Sequence, residues 1–230
     1  MLSPSSPAHD LAQFIDHTLL RPDATESEIR RLCVEAKEYG FKTVCVSPKW
    51  VKLAAIELAG SSVLPITVIS FPEGKDPLPE KIRESEEAIR NGAKELDMVL
   101  NRELLKARQY EAVLKEIQAV VAVAGSRPVK VILETSELTD LEKIAACVLC
   151  RLAGAAFVKT STGFSKSGAT ESDVKLMRST VGVQMGVKAS GGVRTFQDAE
   201  KMIAAGATRL GTSAGVAIVQ GATASGAGAY

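Results

Sequence analysis

Two lysines close two short apolar runs, and each is followed at once by a polar turn carrying glycine: Ala156-Phe157-Val158-Lys159-Thr160-Ser161-Thr162-Gly163 and Gly186-Val187-Lys188-Ala189-Ser190-Gly191-Gly192. An ammonium at the end of a buried strand must be desolvated or paired, so lysine is a costly residue there. Its repetition beside loops rich in backbone N–H groups suggests one amine doing covalent chemistry, a second tuning it, and loops that hold an anion. A free lysine, with a pKa of about 10.4, is only about 0.1% neutral near pH 7.5 and attacks carbonyls slowly. A second ammonium about 5 Å away, at an effective dielectric of about 20, costs the charged form roughly 3 kcal/mol, or about two pH units. Burial adds in the same direction. Such a pair suits imine formation with an aldehyde or ketone, then carbon–carbon cleavage or formation through an enamine. The structural alternative is that each lysine is simply paired with a carboxylate.

Asp97 adds weight to the chemical reading. Glu95-Leu96-Asp97-Met98-Val99-Leu100-Asn101 places a carboxylate inside an apolar strand, where it must be hydrogen-bonded, paired or catalytic. Beside an ammonium it could relay protons for a carbinolamine and a substrate hydroxyl. Three glycine turns then offer an anion site: Gly163-Phe164, Gly191-Gly192-Val193 and Gly211-Thr212-Ser213-Ala214-Gly215. Backbone N–H groups approach phosphate closely at glycine, and helix N-termini beyond Thr195 and Ser213 add favourable dipoles. A rival use of the same residues is an isomerase or synthase in which Asp97 and Glu134 form the acid/base pair and the lysines only bind phosphate. A non-catalytic sugar-phosphate binder is a third.

The elements that must position these groups follow one recurring phrase: amphipathic helix, glycine, strand. It occurs at Gly40, Gly92, Gly154 and Gly206, each followed within a few residues by an apolar run. Thr25-Glu26-Ser27-Glu28, Thr139-Asp140-Leu141-Glu142 and Thr195-Phe196-Gln197-Asp198 read as capping boxes. Eight strands are expected: Phe14–His17, Thr43–Val46, Ile66–Ser70, Glu95–Leu100, Val129–Glu134, Phe157–Thr160, Gly186–Ala189 and Arg209–Thr212. Their alternation with helices predicts a single-domain α/β fold, a (β/α)8 TIM barrel over residues 1–220, with an extra N-terminal helix possible. A Gly/Ala-rich tail, residues 221–230, would be mobile. In such a barrel Asp16, Cys45, Asp97, Glu134, Lys159 and Lys188 fall at strand ends that face the active site.

Composition excludes other classes. The 230 residues carry 28 basic and 27 acidic side chains, a formal net charge of +1, which gives no footprint for nucleic acid or an anionic membrane. No apolar run is long enough to span a bilayer and no signal pattern opens the chain, so a cytoplasmic enzyme is expected. Two histidines are too few for a usual zinc site, although carboxylate-bound magnesium stays open. Cys147-Val148-Leu149-Cys150 lies within the helical run Leu141, Ile144, Ala145, Val148, Leu149, Leu152 and is read as packing, as is Cys45.

Together these residues resemble the deoxyribose-phosphate aldolase family. The matching segments are Phe14-Ile15-Asp16-His17-Thr18-Leu19-Leu20, Glu95–Asn101, Lys130-Val131-Ile132-Leu133-Glu134-Thr135, Phe157–Phe164, Val187–Thr195 and Arg209–Gly215. The resemblance implies a class I aldolase that reversibly cleaves 2-deoxy-D-ribose 5-phosphate to acetaldehyde and D-glyceraldehyde 3-phosphate, without metal or cofactor, as a homodimer or homotetramer. It implies Lys159 as the Schiff-base lysine, Lys188 as its perturbing neighbour and Asp97 as proton donor and acceptor. Substrate and phosphate contacts would come from Asp16, Thr160, Gly163, Phe164, Gly191, Gly192, Gly211 and Ser213. Tyr230 would relay a proton if the tail folds over the site. Ser70, Glu137 and Ala214 depart from the family's usual residues; Ala214 would forfeit a phosphate hydrogen bond worth about 1 kcal/mol.

Overall fold

The computed structural model describes residues 11–221. Eight strands, β1 (Ile15–Leu19), β2 (Thr43–Val46), β3 (Leu64–Ile69), β4 (Glu95–Val99), β5 (Val129–Ile132), β6 (Phe157–Lys159), β7 (Gly186–Ser190) and β8 (Arg209–Thr212), pair in parallel and in order to close a barrel. Between and after the strands run the helices α1 (Glu26–Tyr39), α2 (Val51–Glu57), α3 (Leu78–Arg90), α4 (Arg102–Lys106), α5 (Tyr110–Ala124), α6 (Asp140–Leu152), α7 (Glu171–Val181), α8 (Phe196–Ala204) and α9 (Gly215–Val219). Leu11 and Ala12 are also helical. Tyr230 and the tail from residue 222 onward lie outside the described residues, as do residues 1–10.

The expected punctuation is present. Gly40, Gly92, Gly154 and Gly206 all take positive φ, between 68° and 114°, where a β-carbon would be strained. At α6, Thr139 N–H donates to the Glu142 carboxylate at 2.8 Å and Thr139 Oγ1 accepts from Glu142 N–H at 3.4 Å. Thr195 and Asp198 do the same at α8. Such boxes satisfy two orphan N–H groups at a helix start.

Four strands, β3, β4, β5 and β6, stop earlier than expected, and beyond two of them lies a left-handed residue. Ser70 and Glu134 are left-handed, with φ of 55° and 57°, so β3 ends at Ile69 and β5 at Ile132. Polar contacts compensate the strain: Ser70 N–H donates to Glu84 and its hydroxyl to Asp76, while Glu134 accepts from the Thr162 N–H at 3.1 Å. On α6 the buried face is Ala146, Cys147, Leu149 and Cys150, whereas Leu141 and Leu152 are 80% and 62% exposed. The expected apolar stripe is therefore mostly outward. The small cysteines let α6 sit close to the barrel.

Strand alternation divides the core. On β2 and β3, Val44, Val46 and Ile69 face the helices in the large apolar cluster, while Cys45, Ile66 and Val68 form a second cluster with Leu20 and Phe71. Much of the rest of the barrel interior is charged, with Thr43, Val99, Ile132 and Phe157 among the charges.

Candidate active site

Inside the barrel, seven ionisable side chains, none more than 8% exposed, form one network. Their placement follows from register: Asp97 pairs across from Lys130, Lys159 from Lys188, and Lys188 from Arg209. Asp97 lies at its centre. Its Oδ1 accepts from Lys130 at 2.7 Å, and its Oδ2 accepts from both Lys159 at 3.0 Å and Lys188 at 2.8 Å. Lys188 also contacts Asp16, which accepts from Thr43 at 2.7 Å and Arg209 at 2.8 Å. Glu95 contacts Lys130 at 2.6 Å and Arg209 at 3.2 Å.

The shifts in acidity follow from these contacts. Burial alone would raise Asp97, yet Lys130, Lys188 and Lys159 hold it well below the usual carboxylate range. Asp16 is likewise lowered against its burial, by Lys188, Lys130 and Arg209. Burial opposes the charge on Lys188 too, but Asp16 and Asp97 raise its pKa above the usual lysine value. Lys159 goes the other way. Burial first, and Lys188 second, lower it, against Asp97 alone among the carboxylates. The sequence argument made the second ammonium the main cause; desolvation is the larger. Lys159 thus gives up its proton more readily than a free lysine, and Lys188 less readily.

The fold places the expected contact residues differently from one another. Asp16 sits within β1 and is fully buried among Lys188, Arg209 and Thr43, so it belongs to the charge network and not to a phosphate loop. Gly211 is inside β8 and not in a turn; a β-carbon there would lie 2.8 Å from Lys188 Cε. The missing side chain leaves room for Lys188 and for Ser190 Cβ, which a β-carbon would meet at 2.9 Å. The Thr160 hydroxyl is committed to the Ser190 backbone, donating to its carbonyl and accepting from its N–H, both at 3.0 Å. Phe164 gives its N–H to Thr162 Oγ1 and sets its ring edge-on to Phe71, at 5.2 Å between centroids. It walls a cleft of about 400 Å³ with Leu20, Val68 and Pro72.

Gly163, Gly191, Gly192 and Ser213 remain at the mouth. Gly191 packs so closely that an added β-carbon would meet Gly168 Cα at 2.8 Å and Gly163 Cα at 3.8 Å. Thr212 Oγ1 donates to the Val193 carbonyl at 2.7 Å, joining the loops after β7 and β8. Gly192 and Ser213 are exposed there. The helix that follows Ser213, α9, has five residues, so it offers little dipole, whereas α8 beyond Thr195 has nine.

Sequence reasoning missed Lys130, Glu95 and Arg209 as members of the site. The signal was available, because each is a charged residue on the inward alternation of an apolar strand. Glu134 accepts from Thr162 and takes no part in the ion-pair network around Asp97. Cys45 is buried in the inner apolar cluster and its thiol is pushed up to about 11 by burial. Among the described residues no three His, Cys, Asp or Glu side chains are grouped to hold a metal ion, and no helix is long and apolar enough to cross a membrane.

Residues 11–221 match the model of the DeoC/LacD family aldolase. The chain belongs to the DeoC/LacD aldolase family. It is 56% identical to the deoxyribose-phosphate aldolase of Streptococcus gordonii, over 94% of this chain and 98% of that one. With the deoxyribose-phosphate aldolase of Listeria monocytogenes serovar 1/2a it shares 58% identity over 92% and 95% of the two chains. A crystal structure of a putative deoxyribose-phosphate aldolase from Coccidioides immitis superposes with a TM-score of 0.91 at 49% identity, covering 95% of this chain and 87% of that one. For an aldolase of this family, crowding of Lys188 carries a direct consequence. Gly211→Ala is expected to lower kcat at least about tenfold and to lower the melting temperature as well, since the methyl would lie 2.8 Å from Lys188 Cε and 2.9 Å from Ser190 Cβ and so displaces both the ammonium stem and β7. Steady-state kinetics beside a thermal melt check this.

Proposed function

We propose that this aldolase cleaves 2-deoxy-D-ribose 5-phosphate reversibly to D-glyceraldehyde 3-phosphate and acetaldehyde through a Schiff base on Lys159. The observation that carries the reading is the asymmetry of the amines around Asp97: Lys159 is buried and lowered, Lys188 is buried and raised. The neutral Lys159 amine adds to the C1 aldehyde of the open-chain sugar. The carbinolamine loses water to give an iminium ion. Removal of the C3 hydroxyl proton then breaks the C2–C3 bond, and the electron pair moves to the iminium nitrogen. Glyceraldehyde 3-phosphate leaves, the enamine takes a proton at C2, and water releases acetaldehyde.

Asp97 Oδ2 touches both amines, so it links them for proton transfer. The Lys130 and Lys188 ammoniums make it too weak a base to act alone. Its service is as one half of the Asp97–Lys188 pair, directly or through water. The mouth formed by Gly163, Gly191, Gly192 and Ser213 would hold the phosphate, with backbone N–H groups supplied where glycine permits close approach. Thr160 and Glu134 support that loop from behind. A homodimer or homotetramer is the proposed assembly. The relative from Aeropyrum pernix, at 38% identity and a TM-score of 0.87, is described as tetrameric, and exposed Leu141 and Leu152 offer apolar surface for self-association.

Reductive trapping tests the proposal. Incubation with acetaldehyde and borohydride is expected to add an ethyl group at Lys159, located by peptide mapping, and activity is expected to withstand EDTA. No adduct, or an adduct elsewhere, would remove the Schiff-base assignment.

A further inference from the structure

The buried network has a charge imbalance that the reaction does not by itself require. Four side chains can be cationic, Lys130, Lys159, Lys188 and Arg209, and three are carboxylates, Asp16, Glu95 and Asp97. Every cation except Lys159 touches at least two carboxylates. Lys130 reaches Glu95, Asp97 and, at 3.8 Å, Asp16; Lys188 reaches Asp16 and Asp97; Arg209 reaches Asp16 and Glu95. Lys159 has Asp97 alone, and shares the oxygen it touches with Lys188. In a buried site an uncompensated charge is the expensive one, so the least-paired amine is the one that gives up its proton.

Glu95 and Arg209 are the first residues of β4 and β8, so they lie at the barrel end opposite the catalytic mouth. Neither touches Lys159, and the route between them runs through Lys130, Asp97, Asp16 and Lys188. The Phe157 ring, 5.9 Å from Lys130 Nζ and 5.2 Å from Arg209 Cζ, closes this end beside them. We infer that Glu95 and Arg209 are positioning residues for the aldol reaction, holding Lys130 and Asp16 so that three carboxylates are matched by three cations and Lys159 is left as the unmatched amine. This rests on the Schiff-base reading and extends it to residues at the far end of the barrel. The ionisable groups that act on Lys159 directly are Lys188 on β7, Asp97 on β4 and the Cys45 thiol on β2; Lys130, Asp16, Glu95 and Arg209 reach it through Asp97 and Lys188.

Charge-changing variants separate this from a packing role. Glu95→Gln removes a negative charge from the network and Arg209→Met a positive one. The acid limb of the kcat/KM profile reports the neutral amine of the free enzyme. A unit charge on the order of 10 Å away moves that limb by about one pH unit. Glu95→Gln is therefore expected to move it to lower pH, Arg209→Met to higher pH, and the double variant back towards the parent. Arg209→Lys, which conserves charge, keeps the parent limb. Folded variants whose limbs stay put, or move the same way, overturn the inference, since lost packing lowers kcat without opposed displacements.

Should a single variant fail to fold, NMR titration of the unmodified enzyme labelled with ¹³C at lysine Cε decides. Lys159 is expected to deprotonate first of the three buried lysines; earlier titration of Lys130 or Lys188 overturns the inference. Borohydride trapping run in parallel keeps the two readings apart. An adduct at Lys159 with unmoved limbs removes only the role of Glu95 and Arg209, and no adduct in the parent removes the Schiff base itself.

Discussion

Lys159→Leu is expected to abolish aldol cleavage, by at least about 10⁴-fold in kcat/KM, while melting at or above the temperature of the parent enzyme. The loss follows because no other amine in the network is lowered: Lys130 and Lys188 are both raised by their carboxylates. The stability gain follows from linkage. Burial and Lys188 depress the folded-state pKa of Lys159 below its unfolded value, so the unfolded chain binds the proton more tightly. That costs stability in full below the folded pKa, less between the two values, and nothing above about pH 10.4. Leucine removes the cost and leaves three cations facing three carboxylates. Melting curves at pH 7 and near pH 10.5 check the sign, since the advantage of the variant must shrink at the higher pH. A folded variant with parental turnover would refute the whole mechanism.

Lys188→Met is expected to cost about 10²-fold at pH 7.5, with much of that loss recovered about two pH units higher. Both ammoniums touch Asp97 Oδ2, at 3.0 and 2.8 Å, so they lie within about 6 Å of one another. Removing Lys188 takes away this repulsion and frees Asp97 to pair with Lys159, whose pKa then rises. The neutral fraction at pH 7.5 falls, and the acid limb of kcat/KM moves upward by the same amount. If Lys188 served only to relay protons, the loss would be uniform across pH. The profile therefore distinguishes a group that sets the charge of its neighbour from one that carries protons for it.

Much of this was legible in the chain because local physics wrote it there. Glycine after a helix, threonine three residues before an acidic side chain, and apolar runs between them state where elements begin and end; the first two hold at α6 and α8. The strand ends read less well. Ser70 and Glu134 leave the sheet because side chains distant in sequence, Glu84, Asp76 and Thr162, make a left-handed turn acceptable. On α6 the sequence pattern chose the larger aliphatic residues for the core, whereas the close approach of the helix selected alanine and cysteine.

By itself the sequence determined the barrel, the lysine pair and the acidic residue between them, because hydrophobic periodicity and a charge within an apolar run need no partner to be recognised. Only the tertiary structure decided which charge answers which. Lys130, Glu95, Arg209 and Asp16 come from four different strands, and closing the barrel brings each of the two cations to within 4 Å of both carboxylates across separations of 35 to 193 residues, including the Asp16–Arg209 pair. Electrostatic energy depends on those distances and on the exclusion of water, neither of which exists along an unfolded chain.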